Sequence, residues 1–466
     1  MSTQRQAPDF GPSSQPFLVK KRGYVFPHGL KRNLLFYLFR KFQPGDPIPL
    51  FTHLAENYGE AAHYRLGTKH IVFLNHPDYI REVLVVQNHN FVKERTVRRM
   101  KMLVGEGLIT SEGTFHKRQR LLAQPAFHRQ RIAHYGQTMV EHALKLRQGW
   151  ASGQTLDISI QMMHLALGIV AKTLFDTDVA QEVAEISDNV TAIMGLYNFL
   201  VALPFAEGLQ YWPLPGVSRF RKARAQLDRV VYRMIRQHRA DGRDRGDLLS
   251  ILLAARYEDG SAMSDRQLRD EIMTIFLAGY ETMANALTWT WYLLSQNPEA
   301  EQALHAEIDS VLQGRLPETA DLPQLKYTEM VLAESMRLYP PAWAMGRMAI
   351  NDVAIGPYFL PRGTTVLMLQ YIMHRNPEYF PEPLRFDPQR FTPEAKASRP
   401  RFSYFPFGGG ARQCIGESFA WMEGVLILAT LAQRWRLRLV PGHPVEPQAL
   451  ITLRPRYGMK MVLDER

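Results

Sequence analysis

The chain has 466 residues, a net charge of +11 and 46% hydrophobic residues, ordinary for a globular protein and long enough for one large domain or two or three small ones. Its single cysteine excludes an intrachain disulfide scaffold and fits a reducing compartment. The positive charge favours acidic partners, yet no nucleic-acid-binding motif accompanies it, so nucleic acid is not an expected partner.

Residues 1–46 read as a loose tail and a leading segment, and 47–466 as one domain, because no linker divides them. Leu34 to Phe39 is apolar and flanked by Lys31, Arg32, Arg40 and Lys41. It is too short for a membrane span; it reads either as a packed helix with basic ends or as a peripheral membrane contact. The N-terminus lacks the order of a secretory signal. A soluble, cytoplasmic monomer without a transmembrane anchor is expected.

His116 and Arg120 lie four apart on one helix face. Ser264 to Gln267 reads as a capping box, with Gln267 reaching back to the cap. From there a helix runs to Gln296 and ends at Asn297-Pro298; at 1.5 Å per residue it is roughly 50 Å long. It is apolar almost all round from Ile272 to Leu294, which means burial. Inside it stand Ala278-Gly279-Tyr280-Glu281-Thr282. A glycine costs a helix about 1 kcal/mol relative to alanine, and a buried carboxyl costs more unless paired or protonated. Two such choices together point to a site; a salt bridge from Glu281 and a back-bond from Thr282 to Ala278 are the structural alternative.

A further helix carries Glu334 and Arg337 on one face and stops at Pro340-Pro341. Phe386 to Phe391 follows as a loop containing Arg390. Then comes Phe407-Gly-Gly-Gly-Ala-Arg412-Gln-Cys414-Ile-Gly416, and an apolar helix from Glu417 to Arg434. The glycines let the backbone approach something bulky. The nearby helix N-terminus favours a thiolate at Cys414.

The run from Phe407 to Gly416 resembles the haem-binding signature of the cytochromes P-450, the haem-thiolate monooxygenases. Phe407, Gly408, Gly410, Arg412, Cys414 and Gly416 all comply. The resemblance spans Pro47 to Pro455 and implies a mainly α fold with small β-sheets, in which a long central helix crosses a single haem-containing domain. It makes Cys414 the axial ligand of haem b, pushing electron density that favours O–O cleavage. Phe407, Gly416 and Ala278 would flank the haem, and Arg412, Arg347, Arg120 and His116 would hold its propionates.

Ala278 to Thr282 is similar to the family's oxygen-binding groove, where the helix distorts and O2, the co-substrate, fits. Thr282 would hydrogen-bond the O2 and Glu281 would relay protons. Met283 departs from the usual Thr or Ser without changing a role. Glu334-x-x-Arg337 resembles the second family signature, with Arg390 completing a structural clamp; Gln389 replaces the usual acid beside it.

The family's pocket walls correspond here to Leu103 and Val104, Phe205, Phe276 and Leu277, Ala342 and Trp343, and Leu450. Almost all are apolar, which suits a lipophilic substrate: a fatty acid, a terpenoid or carotenoid, or a polyketide-like molecule. Electrons are expected from a separate ferredoxin or flavodoxin and its NAD(P)H reductase. Two other readings are a peroxide-driven haem enzyme and a non-catalytic haem- or lipid-binding protein; the intact Glu281-Thr282 pair argues against both.

Overall fold

The computed structural model describes residues 19–21, 23–31, 34, 46–177, 186, 190 and 215–466. Most of the apolar leading stretch, from 35 to 41, lies outside them, as does Phe205.

Seven helices build the frame of the site: α1 (Gly113–Ala123), α2 (Arg129–Gln148), α3 (Ile158–Phe175), α4 (Pro215–Asp241), α5 (Asp265–Gln296), α6 (Lys326–Leu338) and α7 (Glu417–Ala432). The all-round apolar surface of α5 has a plain cause: α3, α4, α6 and α7 all pack on it. Gly279 serves this packing, because a Cβ there would stand 3.0 Å from Val170 on α3. Among the described residues, α3 is the one helix long and apolar enough to cross a membrane, and most of its apolar side chains are buried in this core.

The N-terminus of α5 corrects the expected capping box. Ser264 Oγ does accept from the Gln267 N–H at 3.2 Å. The Gln267 amide does not return to the cap; it donates to the Glu106 carbonyl at 3.2 Å and to Glu271 at 2.8 Å. It is drawn there because the loop after Leu103 lies along α5. Asp270 and Glu271 accept the backbone N–H groups of Glu106 and Leu108, each at 2.9 Å. Gly107 makes the approach possible, since a Cβ on it would stand 2.1 Å from Thr274 Oγ1.

Burial pushes the Glu271 carboxyl up to about 7, against the Leu108 N–H and the Gln267 amide that favour its charged form. A carboxyl raised in the folded state stabilises the fold below its ordinary value of 4.5, and that contribution is lost as pH rises to about 7. Glu271→Gln removes this term. Its melting temperature relative to the parent is therefore expected to climb as pH rises through that window; a difference constant with pH would contradict the assignment.

The largest sheet runs in the order β1 (Ala61–Leu66), β2 (Lys69–Leu74), β5 (Thr365–Met368), β4 (Met345–Ala349) and β3 (Phe91–Lys93). Strands β2 and β5 are parallel and the other pairs antiparallel. The β3–β4 register sets Lys93 directly opposite Arg347. Like charges facing across a sheet are destabilising, so this pairing calls for an anion. A separate hairpin, β6 (Pro447–Ala449) and β7 (Leu453–Pro455), packs against α5.

Candidate active site

A cavity of about 380 Å³ lies between α5, α7 and the segment Pro406–Gly416. Cys414 opens into it from a closed turn, its N–H donating to the Phe407 carbonyl at 3.0 Å. Gly408 and Gly410 have φ of +71° and +67°, values that favour glycine. Their close approach is to protein: a Cβ on Gly410 would stand 1.9 Å from the Leu84 carbonyl oxygen.

Burial pushes the Cys414 thiol up to about 11, and the Gly416 N–H and the Arg120 guanidinium only partly oppose it. Helix α7 begins at Glu417, three residues on, so Cys414 stands just before its N-terminus; the Glu417 charge adds to the burial that favours the thiol in the haem-free fold. A metal ligand must be deprotonated, so metal binding here displaces the thiol proton.

At one end five basic side chains line the cavity: Lys93, His116, Arg120, Arg347 and Arg412. Arg120 donates to the Gln413 carbonyl at 2.7 Å and Arg412 to the Ser111 carbonyl at 3.1 Å. Arg412 also pairs with the Glu112 carboxylate. Lys93 Nζ donates to the carbonyls of Leu108 and Ser111 at 3.1 and 3.0 Å. Arg347 donates to its neighbour's carbonyl, Gly346, at 2.9 Å.

These groups depress one another. Burial, then the Arg412 charge, lower Lys93 to about 7 and Arg347 to about 10. Burial and the four cations push His116 down to about 3, leaving it a neutral N–H donor. This excess of positive charge in an otherwise apolar hollow is what two buried carboxylates would offset.

The α5 wall consists of Thr274, Ile275, Ala278, Gly279, Thr282, Met283 and Ala286. The helix is continuous from Asp265 to Gln296, so the distortion implied by the family resemblance is not seen. Thr282 Oγ1 donates to the Ala278 carbonyl at 2.8 Å. Glu281 is 8% exposed and turns off the cavity wall. Its Oε1 accepts from Thr452 Oγ1 at 2.7 Å, which in turn accepts from Asn285 Nδ2 at 3.1 Å. Burial raises the Glu281 carboxyl above its usual range, against the Thr452 hydroxyl and Arg454.

Behind the Cys414 segment, Glu334 and Arg337 are both fully buried and paired twice, at 2.6 and 2.7 Å. Arg337 also donates to the carbonyls of His374, Pro383 and Arg385 at 2.9, 2.7 and 3.1 Å. Arg390 Nε lies 3.6 Å from Glu334 Oε1, a looser third member. His374 Nε2 accepts from the Phe405 N–H at 3.0 Å, linking this brace to the start of the cysteine segment.

Of the expected pocket residues the wall includes Ala342. Leu103 and Val104 are instead core side chains, and Leu108 and Ile109 face the cavity in their place. Phe276 points to the other side of α5, toward Leu227 and Met234 of α4, and Leu277 is likewise buried off the wall. Trp343 Nε1 is tied to the Leu450 carbonyl at 2.7 Å, and neither residue reaches the wall. Two ionisable wall residues also escaped sequence reasoning. Lys93 is one basic residue among many, marked only by its register opposite Arg347. Glu423, the seventh residue of α7 and set among apolar side chains, is a carboxyl whose proton affinity burial raises well above the ordinary range; its place in that run was the available signal.

A flat, iron-bearing ring with two carboxylates satisfies the thiol and the surplus cations together, and this places the chain among the haem-thiolate proteins. A family model described as Cytochrome P450 matches residues 27–461. Cyclooctatin synthase of Streptomyces melanosporofaciens is 41% identical over 85% of this chain and 87% of its own length. Cyclooctat-9-en-7-ol 5-monooxygenase of the same organism is 39% identical, over 83% and 84%. Pentalenene oxygenase of Streptomyces avermitilis is 36% identical, over 88% and 91%. The crystal structure of the cytochrome P450DA haem domain superposes with a TM-score of 0.83 at 25% identity, covering 95% of this chain and 97% of that one.

The chain belongs to the cytochrome P450 family. It has the P450 fold and is a monooxygenase that uses haem iron with a cysteine thiolate ligand, O2, redox-partner proteins and a lipophilic substrate.

Proposed function

We propose that this chain hydroxylates an apolar, ring-bearing terpenoid, with electrons from a separate ferredoxin or flavodoxin and its NAD(P)H reductase, acting as a monomer in the cytoplasm. The observation that carries this reading is the cavity wall away from the cations, where Val97, Leu108, Ile109, Leu174, Ile275 and Met283 offer shape and almost no polar fixing. Relatives named for cyclooctatin, cyclooctat-9-en-7-ol and pentalenene support a terpenoid over a fatty acid or a polyketide.

Cys414 is the iron ligand. Lys93, Arg120, Arg347 and Arg412 hold the propionates, and His116 adds a neutral N–H. Haem held in this way supplies the O2-activating chemistry. Thr282 presents a hydroxyl on the wall; swinging from the Ala278 carbonyl, it donates into the cavity. Glu281 stores the proton that the wall needs. Glu334, Arg337 and Arg390 brace the cysteine segment.

The test is a spin-state titration of the haem-loaded protein with polycyclic terpenoid alkenes and alcohols against fatty acids of like size, followed by product analysis with ferredoxin and reductase. Hydroxylated fatty acids with untouched terpenoids would overturn the substrate reading. Thr282→Ala is expected to lower product per NAD(P)H about tenfold or more, less than the roughly 100- to 10,000-fold that a positioned proton donor contributes to a rate. Its CO spectrum should match the parent, and Thr282→Ser should recover the yield. A fully coupled Thr282→Ala would remove Thr282 from the mechanism.

A further inference from the structure

Glu281 does not face the cavity it is meant to serve. Its carboxyl is turned toward the β6–β7 hairpin and meets Thr452, which is 5% exposed. The direction of that hydrogen bond is set by a third residue. Asn285, one helical turn beyond Glu281, donates its Nδ2–H to Thr452 Oγ1 at 3.1 Å. That occupies a lone pair of the hydroxyl and leaves its O–H to donate to Glu281 Oε1 at 2.7 Å.

The hairpin is itself held from both sides. Trp289 Nε1 donates to the Leu453 carbonyl at 3.1 Å and Trp343 Nε1 to the Leu450 carbonyl at 2.7 Å. The Leu453 N–H donates to the Pro341 carbonyl at 3.0 Å. Thr452 is therefore the fixed partner of this hydrogen bond. The charged and titratable groups that reach the carboxyl are Arg454 on β7 and Tyr280 beside it on α5. Ile451 and Arg454, on either side of Thr452 and Leu453 in the hairpin, are partly exposed, so the protein surface begins within two residues of Thr452.

From this geometry we infer that Thr452, oriented by Asn285, is a positioning residue that docks the Glu281 carboxyl away from the cavity between proton deliveries. The inference rests on the proposed proton-supplying role of Glu281. In each cycle Glu281 gives one proton to the cavity side and regains one from water outside the hairpin, returning to the docked state unchanged. Thr452 is neither consumed nor a contact of the substrate.

The test uses the haem-loaded ferric protein and the carboxyl C=O stretch of Glu281, assigned by its loss in Glu281→Gln and followed in infrared difference spectra against pH. Thr452→Val removes a hydrogen bond to the charged form, so the Glu281 midpoint should move up by about one pH unit. Product per NAD(P)H should fall several-fold with a larger solvent deuterium isotope effect, while the substrate-binding spectrum stays unchanged. Thr452→Ser should restore all three. An unchanged midpoint in Thr452→Val overturns the dock. A shifted midpoint with unchanged yield and isotope effect overturns its part in proton supply. Full yield in Glu281→Gln sinks the role of Glu281 itself, an outcome seen separately from the midpoint.

Discussion

Glu334→Ala is expected to destabilise the protein by about 3–5 kcal/mol, the usual cost of leaving one member of a buried ion pair uncompensated. Both side chains of the pair are fully buried. Arg337 keeps its three carbonyl acceptors in the variant, but no carboxylate within reach replaces the lost charge: Asp387 contributes only its backbone N–H to Glu334. The same substitution cuts the tie between α6 and the Asp387–Arg390 stretch. Haem content should therefore fall with stability, although no atom of Glu334 lines the cavity. Arg390→Ala is the contrast. Its guanidinium stands 3.6 Å from Glu334 and also donates to the Glu382 carbonyl, so its loss should cost under about 1–2 kcal/mol, nearer a long or partly exposed pair. Urea unfolding with haem quantified in parallel checks both; equal losses for the two variants would show that the triad acts as one unit rather than as a tight pair with a loose third.

Much of this architecture is legible in the chain because it is written locally. A cysteine three residues before an apolar helix, a cap at Ser264 and a proline stop after Gln296 all act over a few residues. The Glu334–Arg337 pair is legible for the same reason, being three apart on one helix face. The side of α5 that faces the cavity was also open to counting. Steps of four back from Thr282 reach Ala278 and Thr274, both on the wall. Phe276, six back, falls on another face and packs toward α4, which is why its apolar character misled.

What escapes sequence reasoning is set by contacts distant in the chain. Lys93 joins the cations only because β3 pairs with β4 in one register. The Glu281 carboxyl turns from the cavity because a threonine 171 positions later offers it a hydroxyl. The glycines of the cysteine segment read as room for something bulky, yet Gly410 makes room for the Leu84 backbone. In each case residue type was informative and direction was not, because direction comes from packing.

Cys414→Ala should separate the two terms that hold the haem. The thiolate binds the iron, while the basic end of the cavity binds the propionates without any part in ligation. Those cations lower one another's proton affinity in the haem-free fold, Lys93 to about 7 and Arg347 to about 10, so relief of their repulsion by two carboxylates remains available without the thiol. The variant is thus expected to take up haem with reduced affinity, to lose the long-wavelength CO band of a thiolate-ligated ferrous haem, and to make product only at background. Lys93→Ala combined with Arg347→Ala should do the reverse: haem content falls and the residual haem keeps the thiolate band. The joint measurement is haem content by pyridine haemochromogen beside the CO difference spectrum. If Cys414→Ala lost all haem affinity while the double variant lost none, the cationic end would contribute nothing to cofactor binding, and the convergence of Lys93, Arg120, Arg347 and Arg412 on this cavity would need another anion to explain it.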